Sequence, residues 1–222
     1  MLSCVDLAKT YRSERGEIEA VKGIDIEVRP GEFASVVGRS GSGKSSFLAM
    51  IGGLSRPSRG TVRIEDTDIW SLTDDRLANF RNRRIGFVYQ FASLLPTLRI
   101  VDNVALPALL DRAQDAASAY QTAAESLDQL GLSDYIDAYP AEISAGEQRR
   151  AVIARALINS PALLLADEPT SDLDEETERR IMDQFRNLNR KRGVTLVMVT
   201  HNLRLAELTD RIIHIAGGRL AS

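Results

Sequence analysis

The amino-acid sequence predicts an α/β fold with a mainly parallel sheet at its core. ALLLAD (162–167) and VTLVMVT (194–200) are continuous apolar runs rather than alternating ones, which is typical of strands that are covered on both faces. A glycine-rich loop at 38–46 lies between a strand pattern and a helical pattern, which is the order of a β–loop–α unit. Region 101–159 contains no convincing strand, so we expect a helical insertion there.

Seven segments are predicted to be strands, because each is bounded mostly by glycine, proline or charge. A strong helix is expected between Asp174 and Gly193, with acidic residues in its first turn, basic residues in its last turn and apolar residues on one face. The alanine-rich stretch near 113–130 predicts a solvated amphipathic helix. The strand segments are IDIEV (24–28), FASVVG (33–38), TVRIE (61–65), IGFVY (85–89), ALLLAD (162–167), VTLVMVT (194–200) and RIIHIA (211–216).

The composition excludes some classes of function. With 222 residues, of which 44% are hydrophobic, the chain is able to bury a substantial core. The formal net charge of -3 provides no basic excess for a phosphate backbone, so we expect no nucleic-acid partner. The single cysteine, Cys4, excludes an intrachain disulfide and suits a reducing compartment. The longest apolar runs are far shorter than the ~20 residues needed to span a bilayer.

The most informative stretch is GRSGSGKSS, which follows the strand FASVV and precedes a helical pattern. It matches the spacing G-x-x-x-x-G-K-[ST], in which backbone N–H groups surround phosphates. Lys44 would neutralise the β- and γ-phosphates, and the Ser45 hydroxyl would ligate Mg²⁺. The alternative is a glycine-rich turn with an incidental lysine. The predicted phosphate-binding residues are Gly38, Arg39, Ser40, Gly41, Ser42, Gly43, Lys44, Ser45 and Ser46.

A buried strand ends in two acidic residues, Asp167 and Glu168. We expect them at the carboxyl edge of the sheet, where open α/β folds bind their ligands. Asp167 suits the Mg²⁺ shell, and Glu168 is then positioned to orient or deprotonate a water for attack on the γ-phosphate. The alternative is that the pair caps the next helix. The phosphate loop alone leaves kinase, GTPase and ATPase activities open.

The stretch ISAGEQRR (143–150) supports two interpretations. Ser144 and Glu147 have the S-x-x-E spacing of a capping box, in which each side chain satisfies a free backbone N–H at a helix start. A helix start with a serine and Gly146 also presents free N–H groups and a positive dipole end to an anion. The residues are therefore compatible with a cap and with a phosphate contact.

Five motifs, in this order, resemble those of the ATP-binding subunits of ABC transporters, and the resemblance covers nearly the full chain. The resemblance implies that Gln90 senses the metal and the attacking water while contacting a permease, that His201 contacts the γ-phosphate, and that Tyr11 stacks on adenine. Taken alone, a histidine after an apolar strand is more often structural, and an aromatic residue near the N-terminus more often packs than stacks. The motifs are GRSGSGKS (38–45), VYQ ending at Gln90, ISAGEQRR (143–150), LLLADEPTSDLD (163–174) and VTH ending at His201.

The same resemblance implies the architecture and the partners. The chain would be one ATP-binding domain, 1–222, with a phosphate-loop core at about 1–90 and 160–222, a helical insertion at about 91–159 and an antiparallel β subdomain. ATP and Mg²⁺ would be its cofactors, and ATP hydrolysis its activity. It would form a homodimer on binding ATP and drive an integral membrane permease subunit from the cytoplasmic face of the inner membrane.

The implied dimer joins the two interpretations of 143–150. The chain already has a phosphate loop, so a second anion-binding helix start is surplus within one subunit. We predict that Ser144 and the Gly146 N–H of one subunit close on the γ-phosphate held by the other, and Glu147 is included among these nucleotide-binding residues. The same stretch would then act as a cap in its own chain and as a phosphate contact for the partner.

The segment YQFASLLPTLRIVDNVALP (89–107) is similar to that of the lipoprotein-releasing and macrolide-export branch, and LLP is expected to be an exposed docking patch. The alternative for each leucine is the core of the insertion. An importer subunit, a cell-division ATPase of the same family and a regulatory ATP-binding module remain alternatives. A chromosome-maintenance or repair ATPase would need coiled-coil or zinc-bearing insertions, and the sequence has neither heptads nor cysteines there. Ile143, Ala145 and Asp172 depart from the usual family pattern.

Overall fold

A computed structural model describes residues 1–13, 16–91, 93–111, 115–171 and 173–221, which form ten strands and seven α-helices. The strands are β1 Leu2–Ser13, β2 Gly16–Val28, β3 Phe33–Val37, β4 Arg59–Ile64, β5 Thr67–Asp68, β6 Ile85–Val88, β7 Leu163–Asp167, β8 Thr195–Thr200, β9 Arg211–Ala216 and β10 Arg219–Ala221. The helices are α1 Lys44–Ile51, α2 Asp74–Arg84, α3 Ile100–Leu109, α4 Ala116–Gln129, α5 Ala145–Leu157, α6 Glu175–Arg192 and α7 Leu203–Ala206.

The central sheet has six strands in the order β10-β9-β3-β8-β7-β6, and all its pairs are parallel except β10 with β9. Alternate residues of β7 and β8 face different cores. In β7, Leu163 and Leu165 join one core while Leu164 and Ala166 join the other. The continuous apolar runs of β7 and β8 follow from this double burial, and the predicted α/β fold with a mainly parallel sheet is confirmed.

A second, antiparallel sheet has the order β2-β1-β4-β5 and packs with α1 against one face of the central sheet. The sequence did not predict β1, because its apolar residues are interrupted by charges and its register shifts along β2. Leu2 and Leu7 of β1 are nevertheless fully buried. The prediction of a strand at 24–28 was also too short, since β2 begins at Gly16.

The described residues between β6 and β7 include α3, α4 and α5, which pack on the opposite face of the central sheet. Asn103 of α3 is fully buried and holds the preceding loop: its side chain accepts from Leu95 N at 2.6 Å and donates to Leu95 O at 3.0 Å and to Leu98 O at 3.1 Å. Helix α4 covers most of the predicted alanine-rich helix, whose positions 113 and 114 lie outside the described residues. Across the described ranges, no helix combines the length and the apolarity needed to cross a bilayer.

Helix α6 forms as the sequence predicts. Asp174 is its N-cap and accepts hydrogen bonds from Glu176 N at 3.1 Å and Thr177 N at 2.9 Å. Gly193 ends the helix in the left-handed region, with φ 65°, where glycine has no steric cost. The loop that leads from β7 into α6 ends at this cap. Asp172 of that loop lies outside the described residues.

Candidate nucleotide-binding site

The phosphate loop joins β3 to α1 and depends on two glycines. Gly43 is the N-cap of α1 with φ 103°, and a Cβ there would lie 2.3 Å from the Ala20 carbonyl oxygen. A Cβ on Gly38 would lie 2.2 Å from the Ile215 carbonyl oxygen. Both distances are far below van der Waals contact with backbone that has no room to move, so only glycine allows β2 and β9 to approach the loop this closely.

Helix α1 begins without a side-chain cap and without an acidic residue in its first turn, and all of its residues are described. Its first N–H groups and the positive end of its dipole therefore face the loop uncompensated. Lys44 adds a charge at the same place: its side chain is buried, and its Nζ donates to Gly38 O at 2.7 Å and Arg39 O at 3.1 Å. This concentration of donors and positive charge suits an anion.

The acidic pair lies at the carboxyl end of β7, as the sequence predicts. Burial raises the pKa of the Asp167 carboxyl above its usual range, and the nearby Glu168 charge raises it further, whereas a hydrogen bond from Ser45 and the Lys44 charge lower it. Glu168 has φ 44°, a conformation that costs a non-glycine residue about 1–3 kcal/mol. Its N–H donates to Val199 O at 2.9 Å, so β8 holds it in this conformation.

Glu168 and His201 contact each other across the site, with His201 Nδ1 2.9 Å from Glu168 Oε1. The glutamate side chain is mostly buried while the imidazole is mostly exposed. The backbone of Glu168 is thus held by β8, and its carboxylate is held by the imidazole. A carboxylate held in this way has the chemistry of a general base.

A single cavity of about 690 Å³ brings most of the predicted residues together. Two further residues line it, Ala20 through its backbone contact with Gly43 and Val199 at the end of β8. The sequence does not predict that either residue lines the cavity, because alanine and valine have no binding chemistry and only the fold puts them there. The predicted residues in the lining are Ser40, Gly41, Ser42, Gly43, Lys44, Ser45, Ser46, Gln90, Asp167, Glu168 and His201.

Three other predicted residues lie beside this cavity rather than in its lining. Gly38 and Arg39 line a neighbouring cleft of about 340 Å³ on the other side of the loop. Tyr11 is part of β1, partly exposed, and its hydroxyl donates to Ser46 Oγ at 3.3 Å. The Lys9 ammonium lies 5.1 Å from the centre of the Tyr11 ring. The stacking role of Tyr11 stays a prediction.

The stretch 143–150 forms a capped helix start away from the cavity lining given by the described residues. Glu147 Oε2 accepts from Ser144 N and Ser144 Oγ, both at 2.7 Å, and Glu147 N donates to Ser144 Oγ at 3.3 Å. The Ser144 hydroxyl holds the pKa of Glu147 below its usual range. A Cβ on Gly146 would lie 2.9 Å from Thr177 Cγ2, so this glycine lets α5 approach the start of α6.

The fold and the cavity together define a phosphate-loop nucleotide-binding protein. The model of the ABC transporter family matches residues 21–171. The chain is 43% identical to a lipoprotein-releasing system ATP-binding protein, LolD, of Myxococcus xanthus, over 100% of this chain and 98% of that protein. It is 40% identical to a macrolide export ATP-binding/permease protein, MacB, of Syntrophobacter fumaroxidans, over 98% of this chain and 31% of that protein.

A solved structure agrees with these similarities. The ATP-binding cassette MJ0796, in a dimeric post-hydrolysis state bound to ADP and Pi, superposes with a TM-score of 0.92 and 37% identity, covering 100% of this chain and 97% of that chain. The chain belongs to the ABC transporter family, as an ATP-binding subunit with ATPase activity.

Proposed function

We propose that this chain is the ATP-hydrolysing subunit of an ABC transporter that dimerises on ATP and drives a membrane permease for lipoprotein release or export. The observation that carries the proposal is the convergence of the phosphate loop, Asp167, Glu168, Gln90 and His201 on one cavity. The names of the relatives, lipoprotein-releasing and macrolide export, supply the direction of transport. A permease partner places the subunit at the cytoplasmic face of the inner membrane.

In this proposal the residues divide the work of hydrolysis. The N–H groups at the start of α1 and the Lys44 ammonium bind the β- and γ-phosphates. Glu168 orients the attacking water and accepts its proton, and His201, 2.9 Å from the carboxylate, contacts the γ-phosphate. Gln90, two residues after β6, lines the cavity and would hold the metal and the water there.

The residues also fit Mg²⁺. The described residues contain no group of three histidine, cysteine or acidic side chains that would hold a metal by themselves. Mg²⁺ in nucleotide sites needs only one or two protein oxygens, because waters and phosphates supply the remaining ligands. Ser45 Oγ, the Asp167 carboxylate and the Gln90 amide oxygen are oxygen donors in the same cavity. Bound Mg²⁺ supplies positive charge for the phosphate oxygens, which also suits the crowded Asp167 and Glu168 carboxylates.

A groove of about 660 Å³ between α2, α3 and α5 is where we propose that the permease docks. Its lining includes Phe87, Leu106 and Leu110, and Leu110 is 68% exposed. The prediction of an exposed LLP was wrong for Leu94, which is buried in the helical core, while Leu95 is exposed. The lining also contains Arg81, Arg155 and Asn159, so the groove favours an amphipathic helix as its occupant.

The proposed active form is a dimer. MJ0796 is dimeric in its solved structures, and a two-fold dimer of this chain would bring the start of α5 of one subunit to the phosphate loop of the other. Ser144 and the Gly146 N–H would then contact the γ-phosphate. The closed capping box means that Ser144 must share its hydroxyl between Glu147 and the phosphate.

The test separates hydrolysis from docking. The isolated chain should release phosphate from Mg-ATP, and failure to do so while binding ATP would favour a regulatory module. Leu110→Asp should prevent co-purification with a membrane protein while leaving phosphate release by the isolated chain unchanged. Leu208→Asp is the matched control, since Leu208 is exposed but lies outside the groove lining. Loss of co-purification in both variants, or in neither, would contradict the assigned docking surface.

A further inference from the structure

Arg149 lies on α5, five residues after its N-cap Ser144, and its side chain is 4% exposed. Its guanidinium donates to the Tyr89 carbonyl oxygen and, at 2.5 Å, to the Gln90 carbonyl oxygen. These two carbonyls follow the end of β6. One side chain of α5 therefore holds the backbone of Gln90, a residue that lines the nucleotide cavity.

A second arginine of α5 holds the same segment further along. Arg155 Nη1 donates to Ser93 O at 2.7 Å and its Nη2 donates to Ser93 Oγ at 2.5 Å. The segment 89–93 is thus attached to α5 at both of its ends. Hydrogen bonds from a charged donor are about twice as strong as neutral ones, so the two arginines attach this segment firmly to the helix.

The two ends of this contact belong to different parts of the site. Ser144 and Arg149 are about 8 Å apart along the axis of α5, and Ser144 stands at the helix start assigned to the partner's phosphate. Gln90 lines the cavity of its own chain. A displacement of α5 therefore reaches the Gln90 backbone through a direct hydrogen bond, without passing through the chain between them.

We propose that Arg149 is a positioning residue, which ties Gln90 to α5 so that engagement of the α5 helix start sets the position of Gln90 for hydrolysis. The inference rests on the proposed dimeric ATPase. It does not make Arg149 a catalytic residue, because its guanidinium donates to backbone carbonyls of its own chain at 89 and 90.

The tie itself is tested by hydrogen–deuterium exchange of the full chain. Arg149→Gln should increase exchange of the amides in the segment 89–95 and leave those of β1 and β4 unchanged. Arg63→Gln is the matched control, because Arg63 Nη2 also donates to a backbone carbonyl, Asp66 O at 2.9 Å, but in the antiparallel sheet. Unchanged exchange at 89–95 in Arg149→Gln would overturn the tie whether or not the chain hydrolyses ATP.

The role in hydrolysis is tested by a double-mutant cycle. Arg149→Gln should lower kcat about tenfold with little change in ATP affinity, since the phosphate loop is untouched, and Arg149→Lys should restore part of the loss. In a Gln90→Ala background, Arg149→Gln should have almost no further effect, because it acts through Gln90. Additive losses would overturn the proposed role, and so would a fall in ATP affinity equal to the fall in kcat/KM. A wild-type chain without ATPase activity would instead refute the proposed function.

Discussion

The starts of α1 and α5 present the same backbone chemistry and treat it in opposite ways. Helix α1 begins at Gly43 without a side-chain cap or an acidic residue in its first turn, with the Lys44 ammonium beside it. Helix α5 begins at Ser144 with a complete capping box to Glu147. One helix start is left open toward a cavity, and the other is satisfied by its own chain.

The difference shows that a helix start suits a phosphate when it lacks a side-chain cap and an acidic residue in its first turn. A cap would compete for the N–H groups of α1, and an acidic residue would repel the phosphate. At α5, the Ser144 hydroxyl lowers the pKa of Glu147, so this carboxylate keeps its charge at neutral pH. The Glu147 carboxylate would repel a phosphate that approaches the start of α5. Binding there therefore needs positive groups near the phosphate, which the phosphate loop of a second subunit would supply.

The largest expected effect is at the open site. Glu168→Gln should reduce turnover by about 10²–10⁴-fold, because a general base is removed, while Mg-ATP binding is kept. Single-turnover and steady-state phosphate release would measure it. Glu175→Gln makes the same chemical change at an exposed position of α6 and should be nearly silent. Near-normal hydrolysis by Glu168→Gln would remove this residue from the mechanism and leave the open helix start as a binding site only.

A smaller and partly reversible effect is expected at the capped site. Ser144→Arg should block closure of the dimer by its bulk while the local phosphate loop still binds ATP, whereas Lys44→Ala should weaken ATP binding itself. Neither variant should be active alone. Mixed together, they form heterodimers with one site altered twice and one site made of intact halves, so part of the ATPase activity should return.

The control for the mixing experiment is a demonstration that heterodimers form. Different tags on the two variants would provide it. No recovery in demonstrated heterodimers would show that the two sites must act together or that the α5 start is only a cap. Normal dimerisation and hydrolysis by Ser144→Arg alone would contradict any phosphate role for this stretch.

The smallest effect is expected from Glu147→Gln, which changes the cap of α5. Glu147→Gln keeps a side chain that accepts from the Ser144 N–H but removes the charge, so the free energy of unfolding at pH 7 should change by less than about 1 kcal/mol. The folded-state pKa of Glu147 is depressed. Its contribution to stability is therefore present above the ordinary glutamate value and is lost as the pH falls through the folded pKa.

The mutant should accordingly lose less stability than the wild type on acidification below about pH 4, measured by urea unfolding at several pH values. Glu125→Gln on α4 provides the matched surface control. An identical pH dependence in wild type and Glu147→Gln would mean that the charge of Glu147 contributes nothing to the cap.

Strong local patterns made much of the fold predictable. Residues close together in sequence predict the burial of β7 and β8 on both faces. They also predict the caps of α6 at Asp174 and Gly193. Strand β1 was missed because its pairing with β2 and β4 is not local and its register shifts. The helical character of 100–157 follows from the absence of alternation, but its docking groove does not, since burial of Leu94 and exposure of Leu110 are decided by tertiary packing.

The site divides in the same way. The phosphate loop and the acidic pair are contiguous motifs, and the spacing of their residues predicts their chemistry. The hydrogen bond from Arg149 to Gln90 spans 59 positions and ends on a backbone carbonyl. Every residue has such a carbonyl, so the sequence does not indicate this contact. For the same reason, Ala20 and Val199 in the cavity wall had no signal of their own.

The close approach of Gly146 to Thr177 has a consequence for the way descendants of such a chain would change. The glycine suits a neighbouring helix of its own subunit, since a Cβ would lie 2.9 Å from Thr177 Cγ2 and would force that side chain to shift. A copy that had lost catalysis would still meet this constraint. We therefore expect inactive copies to lose Glu168, whose proposed role is in hydrolysis, earlier than Gly146.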